Sequence, residues 1–424
     1  MAQILVGPAT DLETYLRTEH TVWFDEVSDA PSEAKVLSLP EHLRFAATIE
    51  DADPATYPGI YGVRPMTLSV PGVGDEVRRM PVAGLTWVGV HPDHRRRGVL
   101  NAMMCHHLEQ VRDEPGTHLS VLHASEPAIY GRYGYGLASH EVMVTLGRGT
   151  TLTAPHLDAD AAALETRLAT ITDPGMPQRL TDAWVRSAAT SPGTIVGEAE
   201  FYEGMCAERP EDVRGKESFR VLFACRDGVD VGLALFQRDH KWERGRPGGE
   251  LTVHHLAGDA AARLALLRRL VDFDLIGTVK VYGLGVDDPL LLWLAGPRGA
   301  ADVATYDSLW VRLVDLPAAL EARGYAAACD LVLDVTDATL PAQGGRWRLL
   351  VDDAGAARVE RVERVDTEAD LRLPVAALGA CYLGGVSPVA LVRAGLVEEL
   401  RPGAAHELGH SVRAIVAPNA SVGF

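Results

Sequence analysis

The sequence predicts a protein of mixed α/β and α+β class in three segments, and three observations carry that prediction. Its 424 residues exceed what a single hydrophobic core ordinarily organises. A strand–helix–strand–helix order occurs twice, within residues 82–146 and again within residues 219–294. After residue 301, short strands and helices mix without that order, the pattern of an α+β domain. The expected domains are residues 1–148, 149–300 and 301–424.

In the first segment, residues 82–90 read as a strand. Residues 100–111 read as an amphipathic helix, because Leu100, Met103, Met104, His107, Leu108 and Val111 recur at helical spacing. Residues 119–123 form a strand, 127–130 a short helical turn, and 142–146 a strand that closes the segment. In the second segment, residues 219–225 and 231–236 make a hairpin about Asp227-Gly228. Strand 251–256, helix 260–270 (Leu264, Leu267 and Leu270 in its stripe), strand 279–284 and a short helix at 290–294 follow. The repeated order points to two related α/β modules. The third segment has expected strands at 308–313, 331–335, 346–351 and 358–361, and helices at 317–323, 374–383 and 388–394.

Composition narrows the function classes. A hydrophobic content of 47% and a mean hydropathy of +0.02 fit a soluble globular protein. No apolar run is long enough to span a bilayer. Asp11 and Glu13 interrupt a start that lacks the basic and apolar runs of a signal peptide, so a cytoplasmic protein is expected. Cys105, Cys206, Cys225, Cys329 and Cys381 are scattered, without disulfide-framework or zinc-ligand spacing. The net charge of −18 argues against nucleic acid and anionic membranes as partners, since both need basic surface. It favours cationic molecules, amines among them, although it also serves solubility alone.

The informative stretch is Val88-Gly89-Val90-His91-Pro92-Asp93-His94-Arg95-Arg96-Arg97-Gly98-Val99-Leu100. It sets an Arg-rich turn and a glycine between a strand and the first turn of a helix. Amides at a helix start lack intrahelical partners and sit at the positive end of the dipole. They suit a pyrophosphate, with arginines to hold its oxygens and a glycine to admit it. Three bare arginines would otherwise read as a solvated basic turn; the strand–loop–helix context decides against that.

These residues resemble the pyrophosphate loop of the GNAT superfamily of N-acetyltransferases, Arg/Gln-x-x-Gly-x-Gly/Ala. Only Leu100 departs from it, standing where a small residue is usual. The continuation, Ser125-Glu126 followed by Tyr130-Gly131-Arg132-Tyr133-Gly134-Tyr135-Gly136, is similar to the Eis (enhanced intracellular survival) branch. The resemblance implies tandem GNAT folds, the N-terminal one catalytic and the central one degenerate, plus a C-terminal sterol-carrier-like α+β domain. It also implies acetyl-CoA as co-substrate, no metal, and a homo-oligomer, usually a hexamer. The central module supports its own degeneracy: His255-Leu256-Ala257-Gly258-Asp259-Ala260 has no arginine cluster and an acid where phosphate would approach.

Carried over residue by residue, the resemblance places Val88, Gly89 and Val90 along the cofactor arm and thioester. Arg95, Arg96, Arg97, Gly98, Val99, Leu100 and Asn101 form the pyrophosphate cradle, and Ser125 and Glu126 are further cofactor contacts. Tyr130 is the proton donor to the departing thiolate. Its phenol stays protonated at neutral pH because an unperturbed pKa is about 10. The terminal carboxylate of Phe424 is the base, with its aromatic ring as anchor. A free α-carboxyl has a pKa of about 3.5 and is a weak base unless desolvated, so it acts directly, through a water, or by orienting the amine. His123 matches a pocket-lining position, and Trp87, which lies on the strand of the cofactor contacts, is a candidate pocket residue. Asp25 and Glu26, after Trp23-Phe24, either hold a cationic amine or form a solvated turn. Aminoglycosides are the implied acceptors, with lysine side chains and polyamines as alternatives.

Two other classes compete. His406-Glu407-Leu408-Gly409-His410 matches the zinc-hydrolase pattern His-Glu-x-x-His. Gly409 interrupts it, residues 411–416 look strand-like, and no histidine follows to complete a zinc site, so the match reads as coincidence. His106-His107 and His254-His255 lack ligand spacing. A lipid-binding protein is the remaining reading, permitted by a sterol-carrier-like domain but without a visible apolar tunnel.

Overall fold

The computed structural model describes residues 3–23, 38–50, 53, 55–74, 76–207, 213, 216–243, 245–364, 367–420 and 422–424. The chain divides into two compact units. One contains residues Met1–Ala138, Leu309–Ala414 and Phe424; the other contains Ser139–Ser308 and Ile415–Gly423.

The main sheet of the first unit runs Ile4–Pro8, Arg44–Ile49, Gly59–Pro71, Val77–Val90, Leu119–His123, Leu309–Leu313, Gly136–Leu137 in spatial order. The Val77–Val90 and Gly59–Pro71 strands form its long antiparallel spine. Helix Val99–Asp113 packs on it with Val99, Met103, Met104, His107, Leu108 and Val111 buried; of the expected stripe Leu100 is only half-buried, and Val99 in the first turn is buried beside it. Gly59 makes that approach possible: a Cβ there would lie 2.8 Å from Val99 Cγ1. The same unit holds a five-stranded sheet ordered Ala357–Arg361, Gly345–Val351, Cys329–Thr336, Leu371–Pro374, Glu398–Glu399. Helices Leu316–Ala322, Val375–Cys381, Pro388–Arg393 and Ala404–Val412 accompany it, giving the α+β character expected of the third segment.

The second unit is built on a seven-stranded sheet ordered Asp302–Asp307, His140–Gly147, Ile276–Leu284, Gly249–Gly258, Val229–Asp239, Arg220–Arg226, Glu165–Thr170. Helix Ala260–Val271 buries Leu264, Leu266, Leu267 and Leu270 against it.

Two strands lie elsewhere than segment order implies. His140–Gly147, which covers the strand expected to close the first segment, pairs with Ile276–Leu284 and Asp302–Asp307 in the second unit. Leu309–Leu313, expected to open the third segment, pairs with Leu119–His123 and Gly136–Leu137 in the first. Strand propensity is local, but the choice of pairing partner is not. A further correction concerns residues 411–416: Ser411 and Val412 end a helix, Ala404–Val412, instead of starting a strand. Gly409 is tolerated within it because Ala404, Ala405, Leu408, Ser411 and Val412 bury one face. Among the described residues, no helix is long and apolar enough to cross a membrane.

Candidate active site

The site grows from the point where two strands stop pairing. Val77–Val90 and Leu119–His123 run parallel, yet their register covers only Ala83–Ser120 and Gly84–Val121. Past that point the first strand continues for six residues to Val90 and the second for two to His123, without mutual hydrogen bonds. Backbone groups of residues 85–90 facing that side are available to an extended ligand arm. A register shift against Ile60–Gly62 sets Trp87 at φ +50, a left-handed conformation uncommon for a bulky residue. Val88 and Val90 are half-buried on either side of buried Gly89.

After Val90 the chain makes a one-turn 3-10 helix, Pro92–His94, and then the arginine turn. Arg96 takes φ +60 and Gly98 φ +92, so the turn folds back on itself into the start of Val99–Asp113. Gly98 is the helix cap and supplies no side-chain hydrogen bond, which leaves the first-turn amides of Val99, Leu100 and Asn101 without a capping acceptor. Here glycine is required by its dihedral: a Cβ would meet nothing nearer than Ile4 Cδ1 at 3.7 Å. Arg95, Arg96 and Arg97 are exposed and have no acidic partner among the described residues; Arg97 Nη1 lies 3.1 Å from His94 Nδ1. Burial, and then the charge of Arg97, hold His94 below the usual histidine range, so it stays neutral beside the guanidinium. Unpaired cations and open amides fit a pyrophosphate.

From His123 the chain turns through exposed Ser125 and Glu126 into the short helix Pro127–Tyr130. Tyr130 is buried, at 8% exposure, in the apolar cluster that also holds Tyr133, Tyr135, Val314 and Leu340. Tyr135 stands edge-on to it, with ring centroids 6.0 Å apart. Burial, and secondarily the charge of Glu126, push the Tyr130 phenol up to about 12. The group is thus a protonated donor throughout the neutral range. Beneath it, His107 Nε2 lies 2.7 Å from Ser120 Oγ, and Ser120 Oγ 2.7 Å from the Tyr135 hydroxyl. Ser120 also donates to the Ala83 carbonyl at 3.3 Å, tying this buried chain to the point where the two strands part.

Phe424 joins the same unit. Its ring is edge-on to His123 with centroids 5.2 Å apart, and a Cβ on Gly84 would lie 3.0 Å from its Cε2. A glycine within a strand often marks a close approach, so Gly84 was a signal available in the sequence. The residues just before the end are held within the second unit: Ala417 N donates to Asp287 Oδ2 at 2.8 Å and Asn419 N to Pro192 O at 2.9 Å. Asn419 Nδ2 adds a bond to Gly283 O at 2.8 Å. This terminus is tied down, unlike most chain ends.

Trp87 is half-buried, with the Arg64 guanidinium 5.0 Å from its ring centroid. Burial lowers Arg64 to about 10, still a cation at neutral pH. No sequence signal marked Arg64, since its neighbourhood comes from strand pairing. Asp25 and Glu26 lie outside the described residues. His406 and His410 are exposed on one helix, while Glu407 accepts from Arg401 Nη2 at 2.8 Å and Asp330 N at 3.1 Å. No cluster of three or more metal-ligating side chains occurs among the described residues.

Residues 10–138 and 193–313 each match an acetyltransferase (GNAT) domain family, and residues 316–422 match a sterol carrier protein domain. An uncharacterized N-acetyltransferase of Streptomyces avermitilis is 36% identical over 98% of this chain and 100% of its own length. N-acetyltransferase Eis of Mycobacterium bovis is 33% identical over 75% of this chain and 74% of its own. Among solved structures, Eis1 from Mycobacterium abscessus superposes with a TM-score of 0.78 at 25% identity, covering 99% of this chain and 100% of that one. Tandem GNAT modules, a sterol-carrier-like domain and relatives named for this activity converge: the chain is an N-acetyltransferase and belongs to the Eis family.

Proposed function

We propose that the chain transfers the acetyl group of acetyl-CoA to the amine of a cationic small molecule, with aminoglycosides as the first substrate class and polyamines or lysine side chains as the second. The catalytic module is assigned to residues 1–148 and the assembly to a homo-hexamer. The observation that carries the cofactor reading is the arginine turn. In a chain of net charge −18, three exposed arginines stand without acidic partners among the described residues, at a helix start whose amides are open. The acidity of the chain supports a cationic acceptor.

In this reading Arg95, Arg96 and Arg97 with the amides of Val99, Leu100 and Asn101 hold the pyrophosphate. Ser125 and Glu126 flank it, and the backbone of Val88–Val90 aligns the pantetheine arm and polarises the thioester carbonyl. The neutral amine attacks the carbonyl carbon, a C–N bond forms, the C–S bond breaks, and the sulfur takes the Tyr130 phenolic proton. The Phe424 carboxylate accepts the proton released by the amine. Trp87 and His123 wall the acceptor site, and Asp25 and Glu26 balance its charge.

The decisive experiment combines acetyl-CoA consumption over aminoglycosides, polyamines and lysine peptides with the Tyr130→Phe variant. That variant should bind acetyl-CoA normally and lose turnover by about 10²–10⁴-fold, the scale of a positioned acid. Turnover close to wild type would transfer the proton to another group.

A further inference from the structure

We propose that the buried Arg312–Asp337 ion pair positions Tyr130, so that chain belonging to the C-terminal part of the first unit holds the proton donor in place. The inference rests on the assignment of Tyr130 as that donor. Arg312 lies on Leu309–Leu313, between the strand that precedes Tyr130 and the segment that follows it: Arg312 pairs with Ser120, and neighbouring Val311 with Gly136. The two side chains are 0% and 1% exposed and meet at 2.7 Å.

Each end of the pair bears on the tyrosine loop. Asp337 Oδ1 accepts from Thr339 N at 3.1 Å and Leu340 N at 2.9 Å, fixing a turn that delivers Leu340 into the apolar cluster containing Tyr130. Arg312 Nη1 donates to the Leu313 carbonyl at 2.5 Å, while its Nε has no hydrogen-bond partner among the described residues and lies against Gly134. A Cβ at Gly134 would lie 2.8 Å from that nitrogen, and Gly134 itself sits at φ +83, four residues after Tyr130. A buried ion pair gives little stability beyond what apolar residues of its size would give, but it fixes direction. Here the planar fork is wedged between the turn at Asp337 and the backbone that carries the tyrosine.

Arg312→Lys retains the charge and loses the fork. It should lower kcat by about 10- to 100-fold, the cost of a small misplacement, while acetyl-CoA binding by calorimetry changes by less than about twofold. In a Tyr130→Phe background the same substitution should cost almost nothing, because the group it places is gone. Should Arg312→Lys not fold, Arg312→Met with Asp337→Leu leaves no buried charge unpaired and is expected to give the same pattern. Three results would overturn the proposal: unchanged kcat, a loss of acetyl-CoA affinity in step with kcat, or an undiminished loss in the Tyr130→Phe background. Wild-type turnover by Tyr130→Phe alone would instead remove the donor assignment itself, so the two failures are told apart.

Discussion

Two helix starts in this molecule each come after a long strand and are completed oppositely. At Gly98 the cap has no side chain, the first-turn amides are open, and three arginines stand without acidic partners among the described residues. At the start of Ala260–Val271 the cap is Asp259, whose carboxylate accepts from Ala262 N at 2.8 Å and faces Arg226 at 3.7 Å. Gly258 ahead of it is hemmed in, since a Cβ there would meet Gly232 Cα at 2.8 Å. The same helix-start chemistry that invites an anion is satisfied there from within, by a charge that also repels one. The contrast extends to the next short helix. Pro127–Tyr130 and Pro289–Trp293 both begin with proline, but the fourth residue is Tyr130 at 8% exposure in one and Leu292 at 77% in the other. At these two positions the described residues of the second unit offer neither an open cradle nor a hydroxyl.

Several variants would break or sharpen this contrast. The largest effect is expected at Phe424, whose carboxylate is the proposed base in the first unit. Extending the chain past Phe424 keeps the ring and turns the carboxylate into an amide; kcat/KM should fall by about 10²–10⁴-fold while acetyl-CoA still binds. A C-terminally tagged enzyme of full activity would remove the base assignment. Next come the arginines. Arg96→Ala and Arg97→Ala should each weaken acetyl-CoA binding by about 1.5–3 kcal/mol, read by calorimetry, with one site per chain before and after. Two equivalent sites in the wild-type protein would end the contrast.

A third variant concerns the buried chain under the tyrosine. Burial and neighbouring His106 push His107 down to about 3 from an ordinary 6.5. Between those values the unfolded chain binds a proton that the folded one does not, so stability is full above about pH 6.5 and declines as the pH falls toward 3. The loss should approach about 2 kcal/mol by about pH 5, seen as a falling Tm that His107→Gln flattens. The smallest effect belongs to Asp259→Ala: about 1 kcal/mol of cap stability, a shift of roughly 2–4 °C in Tm, and no acetyl-CoA binding gained.

What the sequence determined by itself was everything set by near neighbours. The stripe from Leu100 to Val111 announced a helix, and Arg95–Gly98 before it marked the exposed cationic turn at the helix start, because helical period and helix-end electrostatics act over a few residues. Asp259 in the corresponding place was legible for the same reason. The buried face of Ala404–Val412 is equally periodic, but Gly409, a poor helix former, lies within it and obscures the helix at the sequence level. Tertiary structure alone decided the rest. His140–Gly147 and Leu309–Leu313 are recognisable as strands, yet which sheet each joins depends on partners more than a hundred residues away in sequence. The parting of two strands beyond Gly84, the left-handed turn at Trp87 and the Phe424 ring against His123 likewise depend on residues distant in sequence. So does Arg312 against Gly134, where a charged side chain in a strand gave no hint of complete burial. Side-chain type states what chemistry a residue can do, whereas the long-range pairing of backbone strands decides which residues meet to do it.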